Sequence, residues 1–264
     1  MTNSMLHPER RSQDGTRFFG SMSCGVGPGV RSVMRHLLTL TLAATVTLAA
    51  ANERIPVNQV RFSADSSRVM VLTSGVRDGS GFGTASLKVF STATGAQLYS
   101  RQKTADAAPN TLRWTLLTTP PTPATLSAYG LTPGVVSAAK YSRVYPRPFP
   151  QWSDGLGAGQ TGISNVALWS VPVPIKLNVY TLPSTCPYGD LLGPGNAPTG
   201  FRLTVNTQTI HQDLSLPADR LCAARYSLER VDVRGNRVLV TVRAYGSGFE
   251  GPDAVPVFIA ATLR

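Results

Sequence analysis

Two carboxylates and an aromatic ring lie close together in one short segment near the end of the chain. Residues 248–253 read Gly-Phe-Glu-Gly-Pro-Asp, which predicts a tight loop. Glu250 and Asp253, with Phe249 beside them, have the chemistry of ligand contacts, or of a general acid and a general base. Carboxylates in turns also commonly accept hydrogen bonds from the amides of their own loop. The segment therefore indicates either a binding or catalytic site, or a turn whose carboxylates accept hydrogen bonds from its own backbone amides.

A second glycine-rich segment, residues 78–83, reads Asp-Gly-Ser-Gly-Phe-Gly. Glycine-rich loops bind phosphate when a helix begins directly after them. Residues 87–90 have the pattern of a strand instead, and the segment has too few acidic ligands for a calcium loop. A structural turn is the favoured interpretation, and Asp78 and Ser80 are its candidate ligand-binding side chains.

His211 and Asp213 form the only closely spaced histidine–carboxylate pair after residue 51. A zinc site usually needs three protein ligands, and no further histidine is available in that part of the sequence. A serine hydrolase of the common type would present its nucleophile in a Gly-x-Ser-x-Gly segment, which the chain lacks. We therefore expect His211 to be an ordinary residue at the end of a strand, and we expect no metal and no cofactor.

Residues 34–51 have the build of a secretory signal peptide. A short basic head, Met-Arg-His, precedes the mainly apolar residues 37–51, and Ala49 and Ala51 stand in the Ala-x-Ala arrangement of a cleavage site. A membrane-spanning helix needs about 20 apolar residues, more than this run provides. We therefore expect export to the periplasm, the cell envelope or the medium, with no stable membrane span after cleavage.

Residues 1–33 precede this signal and are rich in arginine, serine and glycine. Because a signal peptide belongs at the N-terminus, we predict that Met34 is the true start and that residues 1–33 are a mis-assigned extension. A disordered leader followed by a membrane anchor is the alternative. Residues 52–264 are then the exported chain, and their number suits a single domain.

Cys186 and Cys222 are the two cysteines that follow residue 51. In an exported chain, two cysteines most simply form one disulfide bond, although two buried thiols are an alternative. A redox catalyst would need a local pair such as Cys-x-x-Cys, which is absent. The cysteines therefore predict a structural disulfide.

The chain is basic, with a formal net charge of +11. A basic balance can favour nucleic acid, anionic lipid or acidic polysaccharide, or can simply keep a protein soluble. The charges are scattered singly and never form a run of four. We therefore do not expect nucleic-acid binding, and polyanion binding through scattered arginines is the weaker alternative.

Most of the exported chain has the alternation and turn spacing of strands. A phase slip near Glu229 and Arg230 indicates a β-bulge, and Asn206 and Gly235 stand between strand-like segments. The predicted strands are residues 60–62, 69–73, 87–90, 97–100, 171–179, 201–205, 207–211, 231–233, 238–245 and 255–263. The fold class is mainly β: antiparallel sheets in a sandwich- or barrel-like single domain with long Pro/Gly-rich loops and little helix.

Residues 103–170 are the least regular part of the chain. A short apolar piece, 112–117, precedes three prolines, and residues 125–129 and 135–141 favour a helical turn or two. Residues 145–162 are rich in proline and glycine and predict a long surface loop. Its Phe149 and Trp152 either pack onto the body or line a binding face.

Four patches in order along the chain carry a family resemblance. They are Phe62-Ser63-Ala64-Asp65; residues 78–82; Asp213 with Leu216, Pro217, Arg220, Cys222 and Tyr226; and residues 248–253. In these patches the sequence resembles the bacterial predicted secreted protein family, domain of unknown function 2259. The resemblance implies export, a single domain and no assigned activity or catalytic residue.

The chain also departs from that family pattern at several positions. Ser66 replaces a usual glycine, Gly83 a usual proline, and Ala254 and Val255 stand where arginines are usual. The middle of the chain, residues 103–170, matches the family pattern poorly. The missing arginines make a shared charged site beside residue 253 doubtful.

An exported, non-catalytic binding or structural protein of the envelope is the function these observations favour, with an unknown envelope component as its partner. The loops 78–83 and 248–253 would form its recognition end if they lie together. A secreted hydrolase is the alternative and would use loop carboxylates, Glu250 with Asp253 or Asp213. The sequence leaves the ligand and the oligomeric state open.

Overall fold

The computed structural model describes residues 52–264, and strands dominate them. The predicted extension and signal peptide, with Ala49 and Ala51, lie outside the described residues. Within the described part, thirteen strands form three antiparallel sheets, and there are two α-helices. The predicted class, mainly β with antiparallel sheets and little helix, is confirmed, and the packing of the sheets is sandwich-like.

The first sheet has the strand order β4-β3-β2-β1-β5. The chain reverses after β1 at Ser66 and after β3 at Gly95, which have φ angles of 62° and 74°. The left-handed conformation at these positions closes tight turns. The strands are β1 Val57–Phe62, β2 Arg68–Val76, β3 Gly83–Ser91, β4 Gln97–Ala105 and β5 Val135–Val136.

Two short helices, α1 Pro109–Thr118 and α2 Thr122–Ala128, cover one face of the first sheet. Leu112 and Leu116, four residues apart, form the buried stripe of α1. They pack with Leu126 of α2 against the sheet residues Met70, Leu72, Ala85, Leu87 and Val89. The helices therefore seal this face of the sheet.

The second sheet has the order β10-β9-β8-β7. Its strands are β7 Thr161–Val166, β8 Val173–Thr181, β9 Thr199–Val205 and β10 Gln208–Gln212. β8 begins at Val173, after Pro172, and Pro174 lies at its second position, before the pairing with β9 begins at Ile175. Asn206, with φ 53°, opens the β9–β10 turn as predicted.

The third sheet, of order β13-β12-β11-β6, lies between the other two and is called the central sheet. Its strands are β6 Tyr141–Ser142, β11 Arg225–Arg234, β12 Arg237–Ser247 and β13 Pro252–Thr262. The predicted bulge occurs between Leu228 and Arg230. Gly235 has φ 58°, and it opens the predicted tight turn between β11 and β12.

Both faces of the central sheet are covered, which explains why residues 238–245 of β12 are all buried. Val238, Val240 and Val242 pack towards the second sheet. Leu239, on the opposite face of the strand, packs with Val71 of the first sheet. A strand buried on both faces reads as a continuous apolar run rather than an alternation.

The prediction of helical turns over residues 135–141 was wrong. Val135 and Val136 pair with the edge of β1, and Tyr141 pairs with Val231 of β11. Open sheet edges offer backbone hydrogen bonds, and β-branched residues accept the extended conformation readily. The segment therefore links the first sheet to the central sheet as two short edge strands.

Two other predictions concern the connections between strands. A disulfide bond joins Cys186 to Cys222 across a sequence separation of 36 residues. Residues 145–160 form the expected irregular segment, interrupted by one short 3₁₀ turn at Trp152–Asp154. Phe149 remains exposed, whereas Trp152 is half-buried.

Candidate functional site

Glu53 joins the bases of the two glycine-rich loops predicted as a recognition end. Arg77, directly before the first loop, donates from Nη1 to Glu53 Oε1 at 2.5 Å. The backbone N–H of Glu53 in turn donates to Oδ1 of Asp253, at the end of the second loop, at 3.2 Å. The bases of the two loops therefore lie close together, as a shared recognition end would require.

Backbone geometry closes each loop locally. In the first loop, Arg77 N–H donates to Phe82 O at 2.7 Å, and Gly79 has a φ of 77°. In the second loop, a Cβ on Gly248 would lie 2.4 Å from Gly251 O, so a larger residue does not fit without movement. Gly79 is therefore favoured in the first loop by its positive φ angle, and Gly248 is favoured in the second loop because Gly251 O approaches it closely.

Several of the predicted ligand-binding side chains hold their own loops. Asp78 Oδ1 accepts from Gly79 N–H at 2.9 Å, and Ser80 Oγ accepts from Phe82 N–H at 3.2 Å. Glu250 and Phe249 lie at the exposed tip of the second loop, where the Phe249 side chain is 83% exposed. Polar side chains therefore shape the loop bases, and the tip presents an aromatic ring.

A cleft of about 160 Å³ opens beside Glu53 between the first sheet and β13; we call it the sheet cleft. The first-sheet face that meets the central sheet is apolar at one end, where Val71 and Phe90 are buried. At the other end the same face carries Thr84, Ser86 and Lys88. Because polar side chains do not pack tightly against an apolar sheet, the two sheets part there and leave the cleft.

Charged and hydrogen-bonding groups line one part of the sheet cleft, and apolar groups line the larger part. Lys88 Nζ lies 5.9 Å from the centre of the Phe258 ring, which forms part of the β13 wall. The residues that define its chemistry are Glu53, Arg77, Ser86, Lys88, Gln102 and Phe258. The cleft therefore combines two cationic groups, one carboxyl group, neutral hydrogen-bonding groups and an aromatic wall.

Burial changes the acidity of both carboxyl groups at the loop bases. It raises the pKa of Glu53 above its ordinary value, and the attraction of Arg77 only partly offsets the effect. Burial likewise raises the pKa of Asp253, against the opposing hydrogen bond from Glu53 N–H. Both carboxyl groups therefore take up protons more readily than exposed ones do.

Arg243, which the sequence analysis did not identify, is a buried arginine that hydrogen-bonds to the backbone of two residues lining the sheet cleft. Arg243 is fully buried and donates from Nη1 to Ile55 O at 3.1 Å and to Ala254 O at 2.9 Å. Ile55 and Ala254 both line the sheet cleft. Its charge is balanced by Glu229, which lies on the neighbouring strand. Glu229 lies in the bulge between Leu228 and Arg230, so strand alternation alone does not predict this pair.

The His211–Asp213 pair belongs to a structural network. His211 Nε2 lies 3.0 Å from Asp213 Oδ1, and Arg220 donates to both oxygens of the same carboxylate, at 2.8 and 3.0 Å. Burial alone would raise the pKa of Asp213, but the hydrogen bonds from His211 and Arg220 outweigh it and hold that pKa below its usual range. Asp213 therefore stays ionised and is unsuited to the role of general acid.

Residues 52–264 contain no group of three or more histidine, cysteine or acidic side chains arranged to hold a metal ion. Among the same residues, the helices are too short or too polar to cross a membrane.

No curated protein and no solved structure matches this chain. A family of predicted secreted proteins, domain of unknown function 2259, matches residues 71–262. The matched region contains both glycine-rich loops, the disulfide and the Asp213 network, and it covers most of the chain. The chain therefore belongs to the predicted secreted protein family, domain of unknown function 2259.

Proposed function

We propose that this exported protein binds a small polar ligand in the sheet cleft and does not convert it chemically. The observation that carries the proposal is the position of Glu53, which joins both glycine-rich loops and also lines the cleft. Binding sites are commonly concave, with a few convergent polar groups. The predicted site residues Asp78, Ser80, Phe249, Glu250 and Asp253 would then border or support the entrance, in the periplasm, the envelope or the medium.

The lining of the cleft indicates the class of ligand. Lys88 favours an anionic group, and Glu53, whose charge Arg77 balances, suits a hydrogen-bond donor on the same molecule. Ser86 and Gln102 add neutral hydrogen bonds. An acidic monosaccharide, with one carboxylate and several hydroxyls, meets these requirements within about 160 Å³.

The test uses D-galacturonate as the probe, with D-glucose for comparison, and follows backbone amide shifts by NMR. We expect galacturonate to move the amide signals around Lys88 and Arg77, and Lys88→Met to weaken its binding about tenfold through loss of a charge-assisted contact. The matched control is Lys103→Met, an exposed lysine on β4 whose side chain faces the other side of the sheet. Equal binding by both variants, or no shift at the cleft, would refute the proposal.

Hydrolysis is the second candidate function, favoured by the raised pKa of both Glu53 and Asp253. Such a pair can supply a general acid and a general base. The test is turnover of nitrophenyl esters and glycosides by the wild type and by Glu53→Gln. Turnover that the variant loses would support hydrolysis over simple binding.

Polyanion binding has less support in the side-chain contacts. Five arginines among the described residues form ion pairs with carboxylates, and these are Arg54, Arg77, Arg220, Arg230 and Arg243. Cations that are neutralised internally contribute little to a basic surface. These five cations therefore serve the fold rather than a binding surface.

A further inference from the structure

Trp114 places a large aromatic ring on the surface of α1, where its side chain is 69% exposed. The buried stripe of this helix is formed by Leu112 and Leu116. Asn110, Arg113, Trp114 and Leu117 follow the spacing i, i+3, i+4 and i+7, so they share another face of the helix. Tryptophan is usually buried to a high degree, so a ring exposed on an ordered helix needs an explanation.

An open groove of about 320 Å³ runs beside this ring, between α1 and the start of the first sheet. Four of its lining side chains carry amide or guanidinium groups, and they are Asn58, Gln59, Asn110 and Arg113. The apolar part consists of Trp114, Leu72 and Leu117. The groove therefore surrounds one exposed indole with hydrogen-bonding groups.

A β-bulge brings two of the amides to the same side of the sheet. Val57 pairs with Thr73, but Gln59 pairs with Leu72, so Asn58 is an extra residue in β1. In a regular strand, Asn58 and Gln59 would point to opposite faces. With the bulge, both line the groove on the helix side of the sheet.

Internal hydrogen bonds hold two of these amides in place. Ser74 Oγ donates to Asn58 Oδ1 at 2.9 Å, and Arg113 Nη2 donates to Asn110 Oδ1 at 2.7 Å. Each bond uses the amide oxygen, so each side chain still carries an N–H₂ group with two donors. A side chain that is oriented before binding loses less entropy when a ligand arrives.

We propose that Trp114, Asn58, Gln59, Asn110 and Arg113 form a binding platform for a neutral pyranose ring of an extracytoplasmic polysaccharide. One face of such a ring presents C–H groups, which stack on an indole, and its edge presents hydroxyls, which match amide and guanidinium donors. The groove is open at the surface, so it can accept one sugar within a longer chain. The platform lies on the opposite face of the first sheet from the sheet cleft and is independent of the ligand proposed there.

The test is a titration of the exported chain, residues 52–264, with chitotriose, cellotriose and maltotriose, followed by isothermal calorimetry and tryptophan fluorescence. We expect at least one trisaccharide to bind with a dissociation constant below about 10 mM. Trp114→Ala should weaken that binding about tenfold or more, and Asn58→Ala and Asn110→Ala about threefold each. Trp114→Ala and Asn110→Ala should keep the wild-type melting temperature, because the replaced side chains are exposed.

The matched control is Trp169→Phe, which alters another exposed tryptophan, one that donates from Nε1 to Gly235 O at 2.9 Å. This variant should bind the trisaccharide as the wild type does. The proposal is overturned if none of the three sugars binds, or if Trp114→Ala binds as tightly as the wild type. It is also overturned if a proline-rich peptide binds at Trp114 while the sugars do not.

Discussion

Arg243 and Glu229 form an ion pair between adjacent strands of the central sheet, with Nε and Nη2 of the arginine each 2.5 Å from a carboxylate oxygen. The arginine side chain is fully buried and that of Glu229 is 11% exposed. The remaining nitrogen, Nη1, binds the carbonyl oxygens of Ile55 and Ala254. One charged pair therefore connects the central sheet to two residues that line the sheet cleft.

Glu229→Gln should destabilise the protein strongly, because it leaves the buried guanidinium of Arg243 without a counter-charge. The expected loss is about 3–5 kcal/mol in the free energy of unfolding, measured by urea titration. The control, Arg202→Gln, removes an exposed charge on β9 and should change that free energy by less than about 0.5 kcal/mol. A similar effect of the two substitutions would contradict this account of the pair.

Glu53→Ala should loosen the first glycine-rich loop, because the variant loses the carboxylate that accepts from Arg77. The bond to Asp253 is donated by the backbone N–H of Glu53, so the variant keeps it and the second loop should change little. Hydrogen exchange of backbone amides in residues 78–82 should rise about tenfold, as expected for losing a charge-assisted bond of about 1.5 kcal/mol, while residues 248–251 serve as the internal reference. Asp106→Ala, which removes an exposed carboxylate elsewhere, should leave both loops unchanged. Wild-type exchange rates in residues 78–82 of Glu53→Ala would contradict this prediction.

Asp213→Asn should cost stability in a way that depends on pH. The pKa of Asp213 is lowered in the folded state, so its ionised form stabilises the protein fully above the ordinary value of 3.8. This contribution is lost as the pH falls below that value towards the folded-state pKa. The stability difference between wild type and variant should therefore be largest near neutral pH and shrink below about pH 4.

Urea unfolding between pH 3 and pH 7 measures this difference directly, and Asp190→Asn is the control because Asp190 is exposed. Titrating groups remote from Asp213 affect the wild type and the variants alike and cancel in the comparison, whereas His211, which contacts Asp213, is replaced by glutamine in every protein compared. A difference that stays constant across this range would argue against the Asp213–Arg220 ion pair as its source.

Removing the Cys186–Cys222 disulfide should destabilise the protein by up to about 4 kcal/mol, because the bond restricts a loop of 36 residues in the unfolded chain. Denaturant unfolding of the double variant Cys186→Ser/Cys222→Ser measures the loss. Reductant should lower the stability of the wild type to that of the variant and leave the variant unaffected. Equal stability of the oxidised wild type and the variant would refute the prediction.

Sequence reasoning succeeded where a few neighbouring residues decide the outcome. The turn at Gly235, the turn at Asn206 and the bulge before Arg230 follow from residue type and alternation alone. The disulfide also followed, because only two cysteines remain in the exported chain. The family resemblance is confirmed over residues 71–262. The sequence also indicated the two glycine-rich loops as candidate binding segments, but it did not predict that Glu53 joins them.

The sequence by itself therefore determined the strand content, the turn chemistry, the disulfide and the expectation of export, since each depends on composition or on adjacent residues. Only the tertiary structure decided that Glu53 meets Asp253, 200 positions away, and that the valines at 135 and 136 complete a sheet edge. The physical reason is that sheet order and layer packing satisfy buried backbone groups and apolar faces of the whole chain together. The sheet cleft exists because two faces that meet through apolar side chains at one end carry polar side chains at the other.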